Sequence, residues 1–347
     1  MTIIKVHLRT LFGAVLAAIF LNWAADATGI RWRFTGTHDQ GYEIFEIYKK
    51  HAGPRPDVVA IGSSMTRWGV LPPSLAAKAE HSLNRPVEVW NLGLHGGTSS
   101  QVSALLELAF SNHRSPRVLL LELGPSFWNE ARTDSNILHY WRWFAPLSHT
   151  LTSAFQQPWA QTREGLVRAI AGCRSFWLNA TSLASQKKRL EHNRRIDVAI
   201  HQKGSFWGIE HLKRDLERNG LLSPTAIRAA QARKKDQLLL VQPWQQPRGW
   251  ETVLAEVVAI CEKRGTRLIA WAPPISKGLR DGAPLELRTW KEWATASMQT
   301  NEIPFWDYLN EPSIEPGMFF NLSHLAPTGA LQLSVLLADR LAPYLRD

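Results

Sequence analysis

The sequence predicts an α/β fold of three layers, a five-stranded parallel sheet with helices on both faces. Three observations carry this. Short apolar runs recur along the chain, most are followed by a longer amphipathic segment of helical period, and the first run stops abruptly at Gly62, Ser63 and Ser64. Uninterrupted apolar runs are the pattern of strands buried on both faces, and strands that alternate with helices build parallel sheets through right-handed crossovers.

Val58, Val59, Ala60 and Ile61 make the first strand. Gly62 permits a tight turn that a β-carbon would hinder, so the hydroxyl of Ser64 is delivered to the carboxyl end of the sheet, where open α/β folds place their ligands. Residues 71–83 begin with Pro72 and Pro73 and continue in helix formers, which predicts the first crossover helix. Val87–Leu94 is the second strand, followed by a small-residue loop, His95–Ser100, and a helix over Gln101–His113 with Val102, Leu105, Leu106 and Ala109 on one face. Arg117–Gly124 is the third strand. The pattern resumes with a helix over Glu251–Arg264, a strand over Thr266–Ala272 stopped by Pro273 and Pro274, and a helix over Leu285–Thr300. Ile303–Tyr308 is the fifth strand, at an edge because of Pro304. A last helix starts at Pro327 and is expected to turn Leu331, Val335, Leu336 and Leu341 inward. A flavodoxin-like strand order of 2-1-3-4-5 is expected.

Between Phe127 and Gly249 the alternation stops. The segment 127–249 is helical in pattern, basic and tryptophan-bearing, and reads as an insertion between the two parts of the sheet domain, 31–126 and 250–347. Residues 1–30 hold a basic flank (Lys5, His7, Arg9) and an apolar run from Leu11 to Trp23, as in an export signal. Ala25-Asp-Ala27 suits cleavage, whereas extension to Ile30 gives about 20 residues, enough for a signal anchor.

With 347 residues, 45% of them hydrophobic and 20% charged, the chain has the composition of a folded domain, and nothing in it suggests disorder or repeats. A formal net charge of +10 favours acidic surfaces such as anionic lipid, anionic polysaccharide or nucleic acid, of which an exported chain rarely meets the last. Two cysteines, Cys173 and Cys261, are too few for a disulfide scaffold or a cysteine metal site, and Cys261 reads as a core residue. The sequence contains no His-Glu-x-x-His, no Gly-x-x-x-x-Gly-Lys and no Gly-x-Gly-x-x-Gly after the first strand, so neither a metal nor a nucleotide cofactor is expected.

Gly62-Ser-Ser64 near one end and Asn321-Leu-Ser-His324 just before the last helix together resemble the SGNH (GDSL-type) hydrolase superfamily. With Arg67 and Gly69-Val-x-Pro72, the first block is similar to membrane-anchored cell-envelope proteins of polysaccharide O-acetylation and teichoic-acid D-alanylation. The resemblance covers roughly residues 55–125 and 250–345. It implies Ser64 as nucleophile, His324 as general base and an orienting acid three residues before the histidine, where this chain has Asn321. An amide oxygen can hold the needed tautomer, but it lacks the charge that stabilises imidazolium. Asp307, at the end of the fifth strand, is the nearest other acid on the amino-terminal side with a strand-end position and could substitute. Backbone N–H groups of Ser64 and Gly93 are the expected oxyanion donors, and Ser126 or Asn129 stands near the family's third donor. Arg67, His95, His139 and Trp141 are candidate substrate contacts.

The implied function is an extracytoplasmic O-acyltransferase or esterase on a cell-envelope or secreted polysaccharide, anchored in the inner membrane and partnered by a multipass membrane O-acyltransferase. Its rival is a catalytically silent SGNH domain that binds glycan or scaffolds that partner. A basic nucleic-acid-binding protein is the third reading and predicts cytoplasmic residence, against the export signal.

Overall fold

The computed structural model describes residues 48, 51–94, 96–132, 213, 217, 223, 225 and 238–346. The expected anchor in 1–30 and most of the segment 127–249 lie outside them, as does Cys173. Among the described residues no helix is long and apolar enough to cross a membrane.

Five parallel strands form one sheet: β1 (Val58–Ile61), β2 (Val89–Asn91), β3 (Val118–Glu122), β4 (Arg267–Ala272) and β5 (Phe305–Asp307), in the order β2-β1-β3-β4-β5. This is the order expected from the alternation. β1 and β3 are buried at every residue, as two-sided coverage requires of central strands.

Seven α-helices complete the described part: α1 (Ser64–Gly69), α2 (Pro72–Leu83), α3 (Val102–Ala109), α4 (Trp250–Arg264), α5 (Lys277–Gly282), α6 (Pro284–Thr300) and α7 (Pro327–Leu341). α2 packs on α7, and α3 on α4. The chain leaves β1 in one direction for β2 and then moves the other way across β3, β4 and β5. Right-handed crossovers therefore place α2 on one face and α3, α4 and α6 on the other. The reversal lies between β1 and β3, which makes the carboxyl ends of those two strands the crevice of the sheet.

Four elements depart from the sequence reading, one of them α5, a short helix that the reading did not place. α1 is an additional helix, too short to carry a periodic signal, with Met65, Thr66, Arg67, Trp68 and Gly69 all buried. α3 stops at Ala109 instead of His113, because Asn112 and His113 take positive φ values of 54° and 60° and turn the chain toward β3. α7 buries Ala330, Leu333, Ser334, Leu337, Ala338 and Leu341, while Leu331 is exposed and Val335 and Leu336 are half-buried. Its buried face combines Leu333, Leu337 and Leu341 with the small residues Ala330, Ser334 and Ala338. The Ser334 hydroxyl accepts from the Leu71 N–H (2.9 Å) and donates back to the Ala330 carbonyl (2.8 Å).

Candidate active site

Ser64 is the first residue of α1, and its neighbour starts the helix: Ser63 caps it, its hydroxyl oxygen accepting from the Met65 N–H at 3.1 Å. This sets the Ser64 hydroxyl at the carboxyl end of β1. From 260 positions away in sequence, His324 reaches the same point, with its Nε2 2.8 Å from Ser64 Oγ. The histidine sits in a tight loop ahead of α7. That loop is closed by a bridge between Phe319 and Leu325 and by the Phe320 N–H donating to the His324 carbonyl (3.1 Å). Ser64, Asn321 and His324 are each half-buried.

Asn321 shapes this loop as well as the ring. Its Oδ1 accepts the backbone N–H groups of Ser323 (2.9 Å) and His324 (2.8 Å), which fixes which end of the amide is oxygen. His324 Nδ1 lies 3.0 Å from that Oδ1 and 2.9 Å from Nδ2, with the Ser323 hydroxyl 3.2 Å away. Two tautomers therefore fit. Protonated at Nδ1, the ring donates to Oδ1 and its bare Nε2 accepts the Ser64 proton. Protonated at Nε2, it accepts from Nδ2 and presents a donor to Ser64. Only the first is a base. Two aromatic rings enclose the imidazole: Phe320 is stacked at 11° with centroids 5.6 Å apart, and Trp68 is tilted at 58° at 4.7 Å.

Beneath the serine lies a residue that the sequence reading passed over. Glu122, the last residue of β3, is fully buried and accepts four hydrogen bonds from either side of Ser64. Ser63 gives its N–H (2.7 Å) and hydroxyl (2.6 Å), and Thr66 gives its N–H (3.1 Å) and hydroxyl (2.6 Å). Burial pushes the Glu122 carboxyl above the usual carboxylate range, and the four donors pull it back. Gly62 is a consequence of this arrangement, since a β-carbon there would lie 2.4 Å from Glu122 Oε2. The signal was a single acid inside an otherwise apolar strand, Val118-Leu-Leu-Leu-Glu122.

The expected oxyanion donors are only partly available. As the first residue of α1, Ser64 has a backbone N–H with no intrahelical partner and none among the described residues. Gly93 is a correction: its N–H is spent on Asn91 Oδ1 (2.9 Å). Its glycine is needed for another reason, because a β-carbon would come 2.4 Å from the Arg67 backbone nitrogen in α1. Further along the same loop, the N–H of Gly96, at a φ of 70°, bonds to none of the described residues. Asn129 is a second correction. Its Nδ2 donates to the carbonyls of Leu240 (3.2 Å) and Pro243 (3.1 Å), so neither amide proton remains for an oxyanion. Ser126 is buried with its hydroxyl 3.6 Å from the sulfur of Met65, the residue after the serine.

Arg67, expected as a substrate contact, is 1% exposed and forms part of the packing of α1. Asp307 pairs with Lys291 (2.6 Å) and caps its own turn at the Leu309 N–H (2.9 Å), which removes it as an orienting acid. His95, His139 and Trp141 lie outside the described residues. Cys261 is buried, its thiol pushed up to about 12 by burial and by Glu262, which suits a core residue. Among the described residues no group of three His, Cys, Asp or Glu could hold a metal ion.

No family model and no curated protein matches the chain. Among solved structures, it is similar to a candidate lipolytic protein of the G-D-S-L family from Desulfitobacterium hafniense DCB-2, with a TM-score of 0.37 at 11% identity over 83% of this chain and 99% of that one. It is also similar to an inhibitor-bound aryl esterase from M. smegmatis, with a TM-score of 0.33 at 12% identity over 83% of this chain and 97% of the other.

Proposed function

We propose that the chain is an SGNH-like acyl-transfer enzyme, an O-acyltransferase or esterase, that moves an acetyl group on a cell-envelope or secreted polysaccharide. The observation that carries the reading is the 2.8 Å approach of Ser64 Oγ to His324 Nε2.

In this mechanism His324 carries its proton on Nδ1 and donates it to Asn321 Oδ1. Nε2 takes the hydroxyl proton as Ser64 Oγ attacks the acyl carbonyl, forming a tetrahedral oxyanion and an imidazolium. The Ser64 N–H is the donor assigned to the oxyanion, and the Gly96 N–H and the Ser126 hydroxyl, which lies 3.6 Å from the Met65 sulfur, are further candidates. Imidazolium returns the proton to the leaving alcohol, and an acyl-serine remains. A sugar hydroxyl or water then gives its proton to Nε2 and attacks the acyl carbon. As the tetrahedral intermediate collapses, the imidazolium returns that proton to Ser64 Oγ, breaking the acyl–serine bond and restoring the hydroxyl and the neutral base. The first acceptor gives transfer, the second hydrolysis.

The polysaccharide, an inner-membrane anchor in 1–30 and a membrane O-acyltransferase as acyl supplier come from the block resemblance and the amino-terminal pattern. A second reading has its own support: Asn321 Nδ2, 2.9 Å from Nδ1, favours the tautomer that is not a base, as a silent glycan-binding or scaffolding domain would tolerate.

Purified wild-type protein and Ser64→Ala are compared for acetyl release from p-nitrophenyl acetate and for acetyl exchange on polysaccharide. The expected result is a loss of at least about 10³-fold in Ser64→Ala, in line with removal of a serine nucleophile. Equal rates in the two proteins overturn the enzymatic reading.

A further inference from the structure

We propose that Arg132 is a positioning residue of the acyl-transfer site: its guanidinium ties the loop after β2 to the turn after β3 and so holds together the two segments that flank Ser64. The inference rests on the reading of Ser64 and His324 as a nucleophile and base.

Both segments touch the chain beside the serine. The loop after β2 reaches Gly62, just ahead of Ser63 and Ser64. There the Leu94 N–H donates to the Gly62 carbonyl (2.8 Å), and a β-carbon at Gly97 would stand 3.3 Å from that same oxygen. The turn after β3 reaches the residue following Ser64, with the Ser126 hydroxyl 3.6 Å from the Met65 sulfur. Gly96, Gly97 and Ser126 lie in neither helix nor strand, so no ladder of backbone bonds fixes them.

Arg132 joins the two. Its Nη1 donates to the carbonyls of Gly97 (3.0 Å) and Ser126 (3.3 Å), and its Nη2 to that of Gly96 (3.4 Å). Hydrogen bonds from a cation are stronger than neutral ones, and a rigid planar fork can serve two segments in a way that a single ammonium does not reproduce. The clamp adds to a backbone tie between the same segments, in which the Ser99 N–H donates to the Phe127 carbonyl (2.7 Å). Gly96 and Ser126, which carry the candidate donors beyond the Ser64 N–H, are thus held by their own carbonyls.

The arginine is itself anchored. Its N–H donates to the Asn129 carbonyl (3.2 Å). The Asn129 amide in turn donates to the carbonyls of Leu240 and Pro243 and accepts the Gln245 N–H at 2.9 Å. The asparagine expected at the oxyanion therefore acts one step back, fixing the base of the side chain that fixes the rim.

The test compares the wild-type chain with Arg132→Met and Arg132→Lys. It reads kcat and KM on p-nitrophenyl acetate, and amide exchange at Gly97 and Ser99, whose N–H groups are bonded to the Leu94 and Phe127 carbonyls. In Arg132→Met, kcat should fall by about 10²-fold with KM within about twofold of wild type, since displaced groups cost the transition state and not ground-state binding. Exchange at the two amides should quicken by at least about 10-fold. Arg132→Lys keeps the stem and the charge without the fork and should still lose about 10-fold in kcat, so it decides the matter where the methionine variant fails to fold. Unchanged kcat or unchanged exchange overturns the proposal. So does a raised KM at unchanged kcat, which would make Arg132 a substrate contact. Wild-type protein inert on the ester removes the enzymatic reading itself, whereas an active wild type with equally active variants removes only the role of Arg132.

Discussion

Asn321→Asp is expected to raise ester turnover by about 10²–10³-fold, because it removes the choice between two histidine tautomers. One carboxylate oxygen keeps the N–H groups of Ser323 and His324, and the other takes the place of Nδ2, 2.9 Å from His324 Nδ1. Both oxygens then accept, so the ring must carry its proton on Nδ1 and leave Nε2 bare toward Ser64. The added charge also stabilises the imidazolium. The reverse change in a serine protease costs about 10⁴-fold. The gain expected here is smaller because Asn321 Oδ1 already lies 3.0 Å from Nδ1 and supports the productive form part of the time. The pH profile supplies the sign check. A carboxylate raises the histidine pKa, and the base works only when neutral, so the rising limb should move to higher pH. Initial rates on p-nitrophenyl acetate across the pH range measure both effects. An unchanged rate with an unshifted limb shows that position 321 does not govern the ring.

Glu122→Gln should cost about 3–5 kcal/mol of stability and slow acylation of Ser64, although the two side chains have nearly the same shape. Four donors converge on the carboxylate in a fully buried position, and a carboxylate is all acceptor. An amide offers one oxygen and two N–H groups. With its oxygen in the place of Oε2 it keeps three donors, but its NH2 group then faces the Ser63 hydroxyl, whose proton is stranded, and such changes to buried networks cost several kcal/mol. Urea unfolding measures the loss. pH dependence distinguishes charge from shape. Because burial raises the Glu122 carboxyl above its ordinary value, the native state holds more protons than the unfolded state between those two values. This group's contribution to stability therefore falls as pH rises through that window, and Glu122→Gln should abolish that component of the slope. Stability within about 0.5 kcal/mol of wild type, with unaltered Ser64 reactivity, would show that the turn holds itself.

How far the sequence discloses this molecule differs from element to element. β1 was legible because four consecutive apolar residues ended at a glycine, and the strand order followed from alternation and crossover handedness. The face of α7 was not, because Leu331, Val335 and Leu336 were taken as the guide while Leu333, Leu337 and Ser334 are the residues buried, Ser334 accepting from the Leu71 N–H at the start of α2. Ser64, Asn321 and His324 were legible through a resemblance of short blocks, and their meeting at 2.8 Å is a matter of topology that no local pattern contains. Gly93 stood out as a glycine at a strand end, but whether such a residue offers its N–H or merely makes room depends on Asn91 and Arg67, both brought to it by folding. Glu122 had a signal in its lone charge. Trp68 and Phe320 had none, since aromatic residues beside a motif read as core.

The most direct measurement is the mass of the covalent product after reaction with a fluorophosphonate, mapped to its residue in the wild-type chain and in His324→Ala. If Ser64 is a nucleophile activated by His324, one adduct forms on Ser64 and is lost or slowed by more than about 10²-fold without the imidazole. No adduct on Ser64 in the wild-type chain, or labelling of Ser64 that proceeds equally in both, would contradict the account.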